Sequence, residues 1–158
     1  MAAQERLRHG PQEAQESKEH KECVFCSIRK GEIKSFKIAE SSDALAFMSL
    51  EGHPLVAPKT HVSENLEENL EGVTAAFKLA SELVPFVKKA YLATGVNIVA
   101  NIGQSAGQEV EHFHVHLVPR RDGDKGPRLR LVNVPKKKEF GSLASKISQE
   151  YENANKSS

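Results

Sequence analysis

The sequence predicts an α+β domain: a five-stranded antiparallel meander with one long helix, plus a short helix near each end. Three observations predict it. Histidines alternate strictly with apolar residues in His112-Phe113-His114-Val115-His116-Leu117-Val118, which is strand periodicity. Apolar residues recur at steps of three and four from Leu66 to Tyr91, which is helix periodicity. Short β-rich runs bounded by turn residues fill much of the remainder.

Residues 1–20 are polar and charged with little to bury, so a disordered tail is expected there. Residues 23–31 read as a short helix closed by Gly31. Phe36–Glu40 and Ala44–Ser49 read as strands around the turn Ser41-Ser42-Asp43, and Pro54–Ala57 as a third strand ended by Pro58. The helix is expected over Asn65–Thr94, with Leu66, Leu70, Val73, Phe77, Ala80, Val84, Val87 and Tyr91 as its core stripe. Gly72 should weaken it, Pro85 should kink or split it, and Gly95 should close it. Val96–Asn101 and His112–Pro119 complete the strands. Beyond Pro119, residues 122–158 form a C-terminal arm: a loop over Arg120–Pro127, an extended piece over Arg128–Val134, and a helix over Phe140–Asn153. The run Lys136-Lys137-Lys138 reads as solvated surface.

Length suits one domain. The 22 basic and 21 acidic residues nearly cancel, so charge gives no reason to expect nucleic acid or a membrane surface as a partner. No apolar run reaches membrane-spanning length. The acid-rich N-terminus resembles neither a secretory signal nor a transit peptide, so a cytosolic protein is expected, with nuclear entry open.

Alternation puts three imidazoles on one face, while Phe113, Val115 and Leu117 face a core. Side chains that titrate near neutrality suit nucleophilic attack, proton transfer or metal binding. Cys23-Val24-Phe25-Cys26 fits zinc, redox chemistry or chance; a charged tail before it ranks redox below zinc.

The triad, with Gly107-Gln108 shortly upstream, resembles the histidine triad family. Further family-like pieces are Cys23-Val24-Phe25-Cys26, Gly31-Glu32-Ile33, Ala46-Phe47, Gly52-His53-Pro54-Leu55-Val56 and Pro58-Lys59-Thr60-His61, so the resemblance spans residues 21–121. It implies a nucleotide hydrolase or transferase in which His114 attacks an α-phosphorus to give a nucleotidyl-histidine. His112 and His116 complete the catalytic triad, Gln108 donates to phosphate or the bridging atom, and His53, Asn101, Gly107 and Ser49 belong to the nucleotide site. It further implies a structural zinc held by Cys23, Cys26, His61 and His112, no organic cofactor, and a homodimer.

Two departures stand out. Ser49 occupies the place of the family's ribose-binding acidic or amide residue, and the following Pro-containing loop is shortened to Leu50-Glu51-Gly52. Glu109 stands where some members carry Ser or Thr; a carboxylate there would repel a polyphosphate leaving group and suit an amine. The first expectation is hydrolysis of a nucleoside phosphoramidate or adenylate-amine. Dinucleoside polyphosphate hydrolysis comes second, and a nucleotide-binding or scaffold protein with little catalysis is the rival from another class.

Overall fold

The computed structural model describes residues 23–124 and 135–156. The expected tail over 1–20 and the extended piece over Arg128–Val134 lie outside the described residues. The elements are α1 (Val24–Lys30), β1 (Lys37–Glu40), β2 (Ala44–Met48), β3 (Pro54–Pro58), α2 (Leu70–Tyr91), β4 (Gly95–Ala100), β5 (Val115–Arg120) and α3 (Phe140–Lys156). Single 3₁₀ turns at Leu66–Asn69, Gln104–Ala106 and Lys137–Glu139 link them.

The five strands form one antiparallel sheet in the order β1-β2-β3-β5-β4. The first three strands run as the expected meander, but β5 inserts between β3 and β4. Both β3 and β4 are antiparallel to β5, hence parallel to each other. A hairpin cannot join two strands that run the same way, so the 22-residue α2 makes the crossover.

Period-two alternation buries both faces of the sheet. Ala44, Ala46 and Met48 join Val56, Phe113, Val115 and Leu117 beneath α2 and α3, in the main core. Leu45 and Phe47 turn the other way, with Leu55 and Ala57, against Phe25 of α1. The short helix ends as expected: Gly31 adopts φ 78°, its N–H donates to the Ile28 carbonyl, and that of Glu32 to the Ser27 carbonyl.

The long helix differs from expectation in four ways. It begins at Leu70 behind a 3₁₀ turn, with Asn69 accepting from the Gly72 N–H. Gly72 supports this cap: a Cβ there would lie 2.5 Å from Asn69 Nδ2 and 3.0 Å from Pro58. Pro85 does not split the helix, because Pro85 and Ser81, whose carbonyl loses its donor, are both exposed and water can serve that carbonyl. Leu92 caps it in the left-handed region (φ 51°), which frees Gly95 to start β4. Finally, the buried face centres on Ala76, Leu79, Ala80, Leu83 and Val87, leaving Leu70 and Phe77 of the predicted stripe exposed. Among the described residues no helix is long and apolar enough to cross a membrane.

The expected strand His112–Pro119 begins only at Val115. His112–His114 have no ladder partner on β3 or β4. Instead, Phe113 N–H donates to the Val62 carbonyl and His112 N–H to that of Val110. The side chains still alternate: Phe113 enters the main core while His112 and His114 turn toward α1.

Candidate functional site

Two clusters meet at the triad. The first joins the N-terminus of α1, the segment after β3 and the approach to β5. Ligand atoms of Cys23, Cys26, His61 and His112 all lie within 4.8 Å of one another. Cys23 Sγ is 3.3 Å from His112 Nδ1, and Cys26 Sγ is 3.5 Å from His61 Nδ1. A tetrahedron with metal bonds of about 2.0–2.3 Å has edges of about 3.3–3.8 Å, so the donor spacing suits one zinc ion. His112 Nε2 donates to the Pro58 carbonyl at 2.9 Å, fixing the tautomer that leaves Nδ1 free to ligate. Burial and the neighbouring Cys23 sulfur push the Cys26 thiol up to about 11. A buried thiol of this kind becomes a thiolate most readily beside a bound cation.

The second cluster is the row His53, His116, His114. His114 is buried, and its Nδ1 donates to the His112 carbonyl at 2.7 Å. Its Nε2 is left with the lone pair. The Phe25 ring stands edge-on to His114 with centroids 5.0 Å apart, and His116 lies on another side at 4.8 Å. Burial lowers the His114 pKa, against the opposing pull of the backbone bond to His112 and the Glu109 charge. The ring is therefore neutral and nucleophilic at neutral pH. His116 Nδ1 lies 2.9 Å from His53 Nε2. Burial takes His116 down to about 4, and burial with the charges of His116, His114 and Arg120 takes His53 to about 3.

A cavity of about 230 Å³ opens beside this row, lined by Glu51, Asn101, Gly107, Glu109 and His116 among others. Gln108 is buried next to it: Oε1 accepts from the Gly103 N–H at 2.7 Å, while Nε2 has no protein partner. The intervening loop turns at Gly103 and Gly107, both at positive φ (83° and 87°), which a side chain would strain. A larger cavity of about 560 Å³ lies between the Ser41–Asp43 turn and α2 and contains none of these residues.

His112, His114, His116, His53, Gln108, Asn101 and Gly107 are thus gathered in one region, and Cys23, Cys26 and His61 adjoin it through His112. Ser49 is not on the cavity wall. Its hydroxyl accepts from the His53 N–H at 3.2 Å, so it closes the shortened loop. Sequence reasoning missed Phe25, which packs against both His112 and His114, and Glu51. Phe25 lies inside the C-x-x-C motif and Glu51 two residues before His53, but only the fold aims them at the triad.

The HIT domain matches residues 30–123. The chain is 39% identical over 108 residues to the adenosine 5'-monophosphoramidase HNT1 of Saccharomyces cerevisiae, covering 66% of each protein. It is 33% identical over 134 residues to the adenosine 5'-monophosphoramidase hnt1 of Schizosaccharomyces pombe, covering 80% of this chain and 96% of that one. Among solved structures it is similar to a zinc-bound histidine triad family protein from Mycobacterium smegmatis. The TM-score there is 0.73 at 27% identity, over 87% of this chain and 99% of that one.

Proposed function

This chain belongs to the histidine triad (HIT) family, and we propose that it hydrolyses a nucleoside phosphoramidate or adenylate-amine at the α-phosphorus. The observation that carries the reading is His114: buried, tied at Nδ1 to the His112 carbonyl, and packed beside His116, which lines a cavity. Two yeast relatives named as adenosine 5'-monophosphoramidases support the choice of substrate.

In this reading, His114 Nε2 attacks phosphorus, and the phosphorus–nitrogen bond to the amine breaks with its electron pair leaving on nitrogen. The amine takes a proton from His116. Water then attacks phosphorus, the bond to His114 breaks, and the water's proton returns to His116, releasing nucleoside monophosphate. The unpartnered amide of Gln108 donates to a phosphate oxygen, and Gly107, on the cavity wall with no side chain, lets the phosphate come close, as a phosphoryl transfer that depends on placement and charge requires. Glu109 on the cavity wall favours a cationic amine over a polyphosphate. Cys23, Cys26, His61 and His112 would hold zinc, and four protein ligands would leave the ion a structural role rather than one in the reaction. A homodimer is part of the same reading: β4 is an edge strand, and Ile98 on it and Phe77 on α2 are exposed.

The test is release of AMP from adenosine phosphoramidate by the purified protein, beside His114→Ala. Turnover that disappears in the variant upholds the proposal. Absence of wild-type turnover with nucleotide binding intact would favour the binding reading, which the shortened loop after Ser49 supports.

A further inference from the structure

We propose that Glu51 is a positioning residue: its carboxylate accepts a hydrogen bond from the His53 Nδ1–H and completes a Glu51–His53–His116 relay behind the leaving group. Its chemical consequence rests on the hydrolase reading above; its geometry does not.

His53 is only 1% exposed, yet its Nδ1 has no hydrogen-bond partner. A buried polar atom of this kind is costly to leave unserved. Its other nitrogen is engaged with His116 Nδ1 at 2.9 Å, and one proton lies between them. If that proton sits on His116, neutral His53 carries its own on Nδ1 and needs an acceptor there. Glu51 Oε2 is 3.8 Å from that atom, one small side-chain rotation short of a hydrogen bond. At 3.8 Å the carboxylate does not yet offset burial, which holds His53 at about 3.

The loop that carries Glu51 is pinned on every side. Ser49 and His53 exchange two hydrogen bonds, and Gly52 N–H donates to the Ser49 carbonyl. The Tyr91 hydroxyl donates to the Gly52 carbonyl at 2.6 Å. Gly52 itself, at φ 91°, lies so close to Phe140 of α3 that a Cβ would approach its ring to 2.9 Å. The Glu51 side chain, 64% exposed, keeps its freedom to move. The shortened loop thus sets a carboxylate beside the cavity and behind His53.

The other charged or titratable groups facing the pair are His114, Arg120 and, across the cavity, Glu109. His114 and Arg120 oppose a proton on the pair, so both rings rest neutral, and a carboxylate hydrogen-bonded to His53 is what allows His116 to take up a second proton, at Nε2, from solvent when substrate binds. His116 Nε2–H then gives that proton to the departing amine, and Glu51 keeps its charge throughout.

The experiment is Glu51→Ala in the full chain, with two AMP derivatives: the phosphoramidate, whose amine must be protonated, and a nitrophenyl ester, whose phenolate leaves unaided. The relay predicts a fall in kcat of about tenfold on the phosphoramidate with KM within about twofold, and little change on the ester. Equal losses on both, or none, overturn it. ¹⁵N spectra of the histidines judge the relay without turnover. In wild type, His53 is protonated at Nδ1, and Glu51→Ala shifts that signal while Glu109→Gln does not. An unchanged signal, or the same shift from Glu109→Gln, overturns the relay. A protein that hydrolyses neither substrate but shows the Glu51-dependent signal refutes the hydrolase reading and upholds the geometry.

Discussion

Two histidine clusters share one short stretch of chain and are completed in opposite ways. Around His61 and His112, four donors converge on a single point, and the remaining nitrogen of His112 is tied to a backbone carbonyl. Around His53, His114 and His116 the rings follow one another in a row, and capacity is left over: the Nε2 lone pair of His114, Nδ1 of His53 and the amide of Gln108. The closed cluster suits a structural ion, and the open one suits a substrate that brings its own partners. What a histidine does is decided by what its second nitrogen holds. His112 belongs to both clusters, giving its side chain to one and its carbonyl to the other.

The largest expected effects would separate the two. His114→Ala should lower kcat by about a thousandfold or more, because no other neutral imidazole sits at the nucleophile's place. Cys26→Ser should instead remove a ligand and lower Tm by on the order of 10 °C, with loss of bound zinc measured by metal analysis. Part of its activity should survive at temperatures where it stays folded. If Cys26→Ser retained stoichiometric zinc and wild-type Tm, the closed cluster would not be a metal site. If it lost activity as completely as His114→Ala while folded, the clusters would be one functional unit joined through His112 and Phe25.

Acid should act next, and on the open cluster. His53 is held at about 3 and His116 at about 4, against 6.5 for an unperturbed histidine. Both are depressed on folding, so between those limits the unfolded chain binds more protons. Their contribution to stability is complete above about pH 6.5 and is lost as pH falls toward 4. Tm should fall by roughly 5 °C or more between pH 7 and pH 5, and His53→Asn should flatten that slope. A Tm that holds level across this range would show that the pair is not buried as neutral imidazoles.

Most of both clusters was legible in the sequence because their residues are close together or regularly spaced. Alternation through His112–Val118 told which side chains share a face, even though the ladder starts only at Val115. Cys23 and Cys26 are one helical turn apart, and His61 and His112 completed the set by resemblance. What could not be read depends on distant packing. Nothing local says that β5 inserts beside β3, that Leu92 rather than Gly95 ends α2, or that Leu70 and Phe77 face outward. Glu51 looked like a loop acid, because its relation to His53 exists only once Tyr91 and Phe140 have fixed Gly52. Ser49 shows the reverse: its position suggested ribose, and its hydroxyl oxygen accepts from the His53 N–H within the turn.

The smallest expected effect concerns what the open cluster accepts. Glu109 is exposed and shares the cavity wall with Asn101 and His116. Solvent screens its charge, so its influence on a leaving group is modest. A polyphosphate leaving group carries several negative charges past this carboxylate, whereas an amine is neutral or cationic. Glu109→Ser should therefore raise the ratio of dinucleoside polyphosphate to phosphoramidate turnover by roughly threefold, because a repulsion is removed without any new attraction. The rise should shrink as salt is added, since it is electrostatic in origin. An unchanged ratio at low salt would mean that the carboxylate does not face the leaving group. The preference would then rest with the shape of the cavity, and the cluster would be open by geometry alone.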